Sequence, residues 1–242
     1  MPTPNSSNTN PHPIHPPYLR YLNRGILTLI VLEVGLAIAY LSTSLVNGNA
    51  PDFLDFNGLR TLPSLIQAFQ LFLIGAIALL LLVLSRQLKH NLSWPLLLFI
   101  TILCCFGGLD EVLKIHLALK QFNWKGMYLG ILTAIPILCW KDLVRLWRSH
   151  RDVVLWIAIG ISVFVAGGFG AEYLKSGLTT LFSGNVSETT LFTLEQTRTT
   201  IEELSELIGE TITVYGIGRF TIRFIPVRHP SIIEFPNSDQ SR

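Results

Sequence analysis

Half of the chain's sixteen carboxylates lie where a charge is expensive. Glu33, Asp110, Glu111, Glu172, Glu202, Glu203, Glu206 and Glu210 sit inside long apolar runs or at their ends. An ionisable side chain at the centre of a bilayer costs about 2.5–3.5 kcal/mol on insertion scales. Eight such groups need a reason. Glu202, Glu203, Glu206 and Glu210 share one arc of about 100° on a helix. Asp110 and Glu111 precede Lys114 by four and three residues, within reach of a helical ion pair, and His116 follows. Carboxylates this close cannot all be ionised without compensation. They share protons, or meet cations such as Lys114 and Arg198, or hold a metal ion. One histidine among carboxylates suits a divalent metal: iron, manganese or zinc, with calcium also admissible. Asp110, Glu111, His116, Glu172 and Glu206 are the candidate metal ligands. Glu202 and Glu203 are candidate general bases. Glu33 and Glu210 form a deeper pair suited to relaying a proton or cation.

The elements that must position these groups follow from the hydropathy pattern. Charged residues make up 14% of the 242 positions, against about 25% in an ordinary soluble domain. The apolar residues gather in runs of about 20. That pattern excludes a soluble globular domain, a disordered chain and a disulfide scaffold. A net charge of +2, scattered over span ends, gives no footprint for nucleic acid. The expected fold is all-α: a polytopic transmembrane helix bundle of six spans, with the lipid bilayer as its main partner. The spans cover about 25–46, 63–84, 93–113, 126–147, 153–173 and 199–220. Within them, Pro95 suits a first helical turn, and Pro136 predicts a kink in a continuous fourth span. Residues 1–19 are rich in Pro, Asn, Ser and Thr and are expected to be a disordered cytoplasmic tail. Residues 20–224 form the helical domain, and 225–242 a second cytoplasmic tail. Cys104, Cys105 and Cys139 lie in apolar runs without metal-finger spacing and are read as reduced thiols.

Basic residues fix the orientation. With both termini cytoplasmic, twelve Lys and Arg fall on that side and six on the other, alternating loop by loop. The location implied is a cell membrane, the bacterial inner membrane or a related internal one. Span three then carries Asp110 and Glu111, with His116 following, toward the outer face. Span five ends there at Glu172. Span six enters there with Glu202, Glu203 and Glu206. Glu33 and Glu210 lie deeper, at similar height. Gln67 and Gln70 in the outer half of span two can support the cluster.

Plainer readings stand beside this one. The four glutamates could be the wet face of an interfacial helix, or acids favoured by a helix N-terminus. Asp110, Glu111 and Lys114 could be a packing salt-bridge knot. His116 could be an interface histidine. Glu172 follows Gly167, Gly168 and Gly170, which permit close helix approach. The 24-residue stretch 174–197 reads as a surface loop or a lid over the site.

The residues Leu109–Asp110–Glu111 through His116, Gly170–Ala171–Glu172, and Glu202–Glu203–Leu204–Ser205–Glu206 with Gly209 resemble a group of uncharacterised bacterial multi-span membrane proteins. Their pattern is an Asp-Glu pair with a nearby His, a later Glu, and a final helix bearing E-E-x-x-E-x-x-G. The resemblance covers spans three to six and implies no activity. H-E-x-x-H, G-x-S-x-G and a phosphate-cradling glycine loop are all absent from the sequence. Three functions remain open: a metal-dependent membrane enzyme acting on a lipid-like substrate, a proton or cation transporter, and a non-catalytic subunit or assembly factor.

Overall fold

The computed structural model describes residues 17–56, 58–87, 93–115, 123–181 and 187–224. Among them are seven α-helices and no strand. They are α1 (Pro17–Asn47), α2 (Leu62–Gln87), α3 (Trp94–Leu113), α4 (Trp124–Leu138), α5 (Trp140–Ser149), α6 (Arg151–Leu181) and α7 (Glu188–Phe224). A short 3-10 turn at Asp52–Leu54 links α1 to α2. Helix α7 packs against α1, α2 and α6, and α2 packs against α3. We call the end holding the α1–α2 link the upper end.

Local sequence explains the helix limits. Ser93 caps α3 through its hydroxyl to Leu96 N–H, with Pro95 in the first turn. Asn123 caps α4 through Gly126 N–H at 2.9 Å. At the other end of α3, Lys114 adopts a left-handed conformation (φ 46°, ψ 47°), which costs a non-glycine residue about 1–2 kcal/mol.

Four described helices are long and apolar enough to cross a membrane: Tyr18–Asn47, Leu62–Ser85, Trp94–Leu113 and Arg151–Ala171. A fifth is counted if α4 and α5 form one broken span. The distribution of side chains fits a lipid solvent. Leu27, Val31, Ile38, Phe69 and Ile102 are exposed, while Glu33, Gln67, Gln70, Asp110, Glu210 and Thr211 are buried. A polar interior inside an apolar exterior is the arrangement water disfavours and lipid demands.

Three expectations need correction. The fourth span is not one kinked helix over 126–147. It breaks at Cys139, and the axes of Gly126–Leu138 and Trp140–Ser149 differ by 71°. Pro136 lies in the last turn of α4, where a ring in place of an N–H weakens the helix. The stretch 174–197 is not wholly a loop, because α6 runs on to Leu181 and α7 begins at Glu188. At about 1.5 Å per residue these helices reach roughly 45 and 55 Å, more than a hydrocarbon core of about 30 Å. Helix α1 also starts earlier than expected, at Pro17.

Helices α6 and α7 meet through small residues. A Cβ built on Gly160 would lie 2.6 Å from Gly209 O, and one on Gly209 would lie 2.7 Å from Gly160 O. Gly167 faces Ser205, and Gly216 faces Ile157. The backbones touch because these four positions carry no side chain. Gly170 has nothing within 4 Å and takes no part.

Candidate functional site

The polar layer is built from α1, α2 and α7, with α3 and α4 at its upper edge. Glu33 on α1 is fully buried. Its Oε1 accepts hydrogen bonds from Gln70 Nε2 at 2.5 Å and from Thr211 Oγ1 at 2.6 Å. Gln70 Nε2 also donates to Thr211 Oγ1 at 2.7 Å. One turn above, Gln67 Nε2 donates to Glu206 Oε2 at 3.1 Å and to Glu210 Oε1 at 3.5 Å. Gln67 and Gln70 stand three residues apart on α2, so their side chains share a face. Glu206 and Glu210 stand four apart on α7 and do the same. Gly168 on α6 lets the helices close over Glu206, since a Cβ there would lie 3.1 Å from Glu206 Oε1.

The upper edge holds the cations. Lys114 is buried, and its Nζ lies 2.8 Å from Glu111 Oε2. Burial pulls its pKa down, but Glu111 first, then Glu203 and Glu206, pull it up further, so the ammonium stays charged. The left-handed backbone at Lys114 ends α3 at the level of these carboxylates. Asp110 is buried and accepts from Tyr128 Oη at 3.1 Å, which ties α4 to α3. Arg198 pairs with Glu195 at 2.8 Å and with Glu202 one turn further on. Tyr40 Oη donates to Gln196 Oε1 at 2.7 Å, joining α1 to α7 near the same end.

Three oxygens in this layer have no hydrogen-bond partner among the described residues: Glu33 Oε2, Gln70 Oε1 and Glu210 Oε2. Their side chains are 0%, 1% and 4% exposed. A buried acceptor without a donor costs about 1–3 kcal/mol. Below the layer the interior turns apolar: Ile74, Val214 and Ile217 pack together, and Ala78, Leu81, Leu97, Val153 and Phe220 fill the next level. The polar layer therefore lies between this apolar plug and a second buried apolar cluster, Ala37, Tyr40, Phe56 and Leu207, nearer the upper end.

The sequence-predicted residues fare differently. Glu33, Glu206 and Glu210 come together through Gln67, Gln70 and Thr211. Glu111 and Glu203 are joined to them through the field of Lys114. Glu202 faces Arg198, and Asp110 faces Tyr128. His116 lies outside the described residues, as does the side chain of Glu172. Among the described residues no three His, Cys, Asp or Glu side chains stand close enough to hold a metal ion. The expected metal centre therefore finds no support there. The sequence alone does not single out Thr211 or Tyr128. A signal for Thr211 existed, because it is a hydroxyl beside Glu210 at the depth of Glu33. Tyr128 had none, because its pairing with Asp110 depends on how α4 folds back.

The chain belongs to the family described as a domain of unknown function (DUF8692), which matches residues 25–218. No curated protein and no solved structure matches it.

Proposed function

We propose that this is a multi-pass membrane protein that moves protons or a monovalent cation through the layer around Glu33 and Glu210. The observation carrying the proposal is the buried hydrogen-bonded series Glu33–Gln70–Thr211 and Gln67–Glu210–Glu206, with three acceptor oxygens left without donors among the described residues. Acceptors in an apolar bundle call for a positive partner. A proton on a glutamate converts an unmatched acceptor into a donor, and it lowers the cost of burial. Glu206, Glu203, Lys114 and Glu111 continue the series to the upper end. Ile74, Val214 and Ile217 pack below the layer, and Ala37, Tyr40, Phe56 and Leu207 pack toward the upper end, so transport requires these apolar levels to part in turn.

We further propose six spans with both termini cytoplasmic, and a cell-membrane location. Residues 20–224 form the membrane domain, with cytoplasmic tails at 1–19 and 225–242. Helix α7 is less apolar than α1, α2, α3, α4 and α6, but Glu206 and Glu210 turn toward α2 and Glu203 toward Lys114 at the end of α3. Arg20, Arg24, Lys141, Arg145, Arg148, Arg219 and Arg223 cluster at the lower end, as a cytoplasmic face demands. Cysteine introduced at Ser149 is expected to label only from the cytoplasm, and at Ser187 only from outside, in a chain with its own cysteines replaced. The reverse pattern would invert the topology.

The functional test is ion flux in proteoliposomes holding a pH-sensitive dye. The wild-type protein should dissipate an imposed pH or sodium gradient, and Glu33→Gln and Glu210→Gln should each abolish this while remaining folded. Equal flux in wild type and in both variants would refute the proposal. Flux absent from wild type, together with stoichiometric iron, manganese or zinc in the purified protein, would return the balance to a metal enzyme.

A further inference from the structure

The break at Cys139 leaves α5 at 71° to α4, so this ten-residue helix crosses the bundle's lower end rather than continuing through it. Its sequence is strongly two-sided. At 100° per residue, Trp140, Leu143, Val144, Leu146 and Trp147 fill one arc of about 160°. Lys141, Arg145 and Arg148 fill another of about 60°, directly beside Val144 and Trp140. Leu146 packs on the core level of Val153 and Phe220, which fixes the helix against the bundle. Trp140 stays 65% exposed and Trp147 38%. Arg151 lies over the Trp147 ring, 5.1 Å from its centroid. Asp142, the acid on this helix, is taken by Ser93 at 2.5 Å and lies 3.8 Å from Arg145. Among the described residues no carboxylate pairs with Lys141 or Arg148.

Two exposed indoles next to a row of three cations match the boundary between acyl chains and headgroups. Trp rings settle at that depth, and Lys and Arg reach from it toward phosphates. We propose that α5 is a binding surface for anionic phospholipid, with headgroup phosphates held by Lys141, Arg145 and Arg148 and acyl chains against Trp140 and Trp147. The proposal rests on the membrane reading, but not on ion transport. Charge complementarity commits it to an anionic headgroup over a zwitterionic one, since each basic side chain near a headgroup plane adds attraction to an anionic lipid.

The test is native mass spectrometry of the full-length protein in detergent, titrated with phosphatidylglycerol or phosphatidylcholine. Wild type should retain phosphatidylglycerol in preference. Lys141→Gln/Arg145→Gln/Arg148→Gln should lower that retention by about tenfold or more. Lys141→Arg/Arg145→Lys/Arg148→Lys should keep it, and so should Arg20→Gln/Arg24→Gln, which removes charge elsewhere at the lower end. Equal retention of the two lipids by wild type would overturn the proposal. So would an equal loss in the Arg20/Arg24 variant, or displacement of the lipid by inorganic phosphate alone. A dimer that vanishes in the triple Gln variant, with no lipid preference, would assign the surface to a second copy instead. Recovery of the chain in the aqueous fraction without detergent would sink the membrane reading itself, whereas an integral chain lacking lipid preference would sink only this inference.

Discussion

Gly209→Ala tests the packing that brings α7 and its carboxylates against α6. A methyl at Gly209 would lie 2.7 Å from Gly160 O and 2.8 Å from both the backbone nitrogen and the Cβ of Phe164. Ordinary contact begins near 3.4 Å, so α6 would have to withdraw by about 0.5–1 Å, which forfeits a quarter to a half of each van der Waals well along the seam. Overpacking of this kind costs about 1–3 kcal/mol. Alanine returns about 0.5–1 kcal/mol through its better helix propensity. Because the obstacle is backbone and cannot rotate aside, the net loss is set at about 1–2 kcal/mol. For a chain of this size that is a melting-temperature decrease of roughly 2–8 °C. The assay is thermal unfolding of the detergent-purified protein. Gly170→Ala is the control, since nothing stands within 4 Å of it, and it should melt at or above the wild-type temperature. A Gly209→Ala protein as stable as wild type, or a Gly170→Ala protein as damaged as Gly209→Ala, would refute the glycine-seam argument.

Other outcomes follow from the same geometry. Lys114→Met leaves Glu111, Glu203 and Glu206 without their buried cation and should cost about 3–5 kcal/mol, read by thermal or denaturant unfolding. The Lys114 pKa is raised in the fold above 10.5, so its contribution is complete below that value and lost as pH rises through the folded one; wild type should lose stability in that alkaline range, and Lys114→Met should lack the step. Tyr128→Phe removes a hydrogen bond to the buried Asp110 carboxylate and should destabilise by about 1–3 kcal/mol, most visibly as earlier proteolysis around α4. Ile74→Ser/Ile217→Ser puts hydroxyls into the apolar plug and should raise passive proton leak in liposomes, whereas an unchanged leak would mean that the plug is not the barrier.

Much of the layout is legible in the sequence. The apolar runs located the helices, because a stretch of about 20 apolar residues has few alternatives. The depth of Glu33 relative to Glu210 was readable from helix rise alone, and both now meet through α2. What escaped the sequence depended on non-local contact or on small backbone events. Pro136 announced a kink, but nothing local set a 71° turn at Cys139 or laid α5 across the end of the bundle. The stretch 174–197 looked like a loop because Ser, Thr and Gly weaken helix propensity, yet the α6–α7 pairing carries helix through most of it. The acidic cluster looked like a metal centre because charge sign and depth were visible while partners were not. Among the described residues Tyr128, Arg198, Lys114 and Gln67 engage Asp110, Glu202, Glu111 and Glu206, while His116 and the side chain of Glu172 lie outside them.

Movement of protons, or of a cation exchanged for them, requires Glu33 and Glu210 to hold exchangeable protons while buried. Infrared difference spectroscopy of the reconstituted protein in H2O and D2O tests this requirement most directly. Wild type at neutral pH should show the C=O stretch of protonated carboxyl groups, shifting on deuteration. Glu33→Gln and Glu210→Gln should each remove part of that band, with Glu188→Gln, at the exposed start of α7, removing none. A band absent from wild type, or untouched by both core variants, would contradict the account.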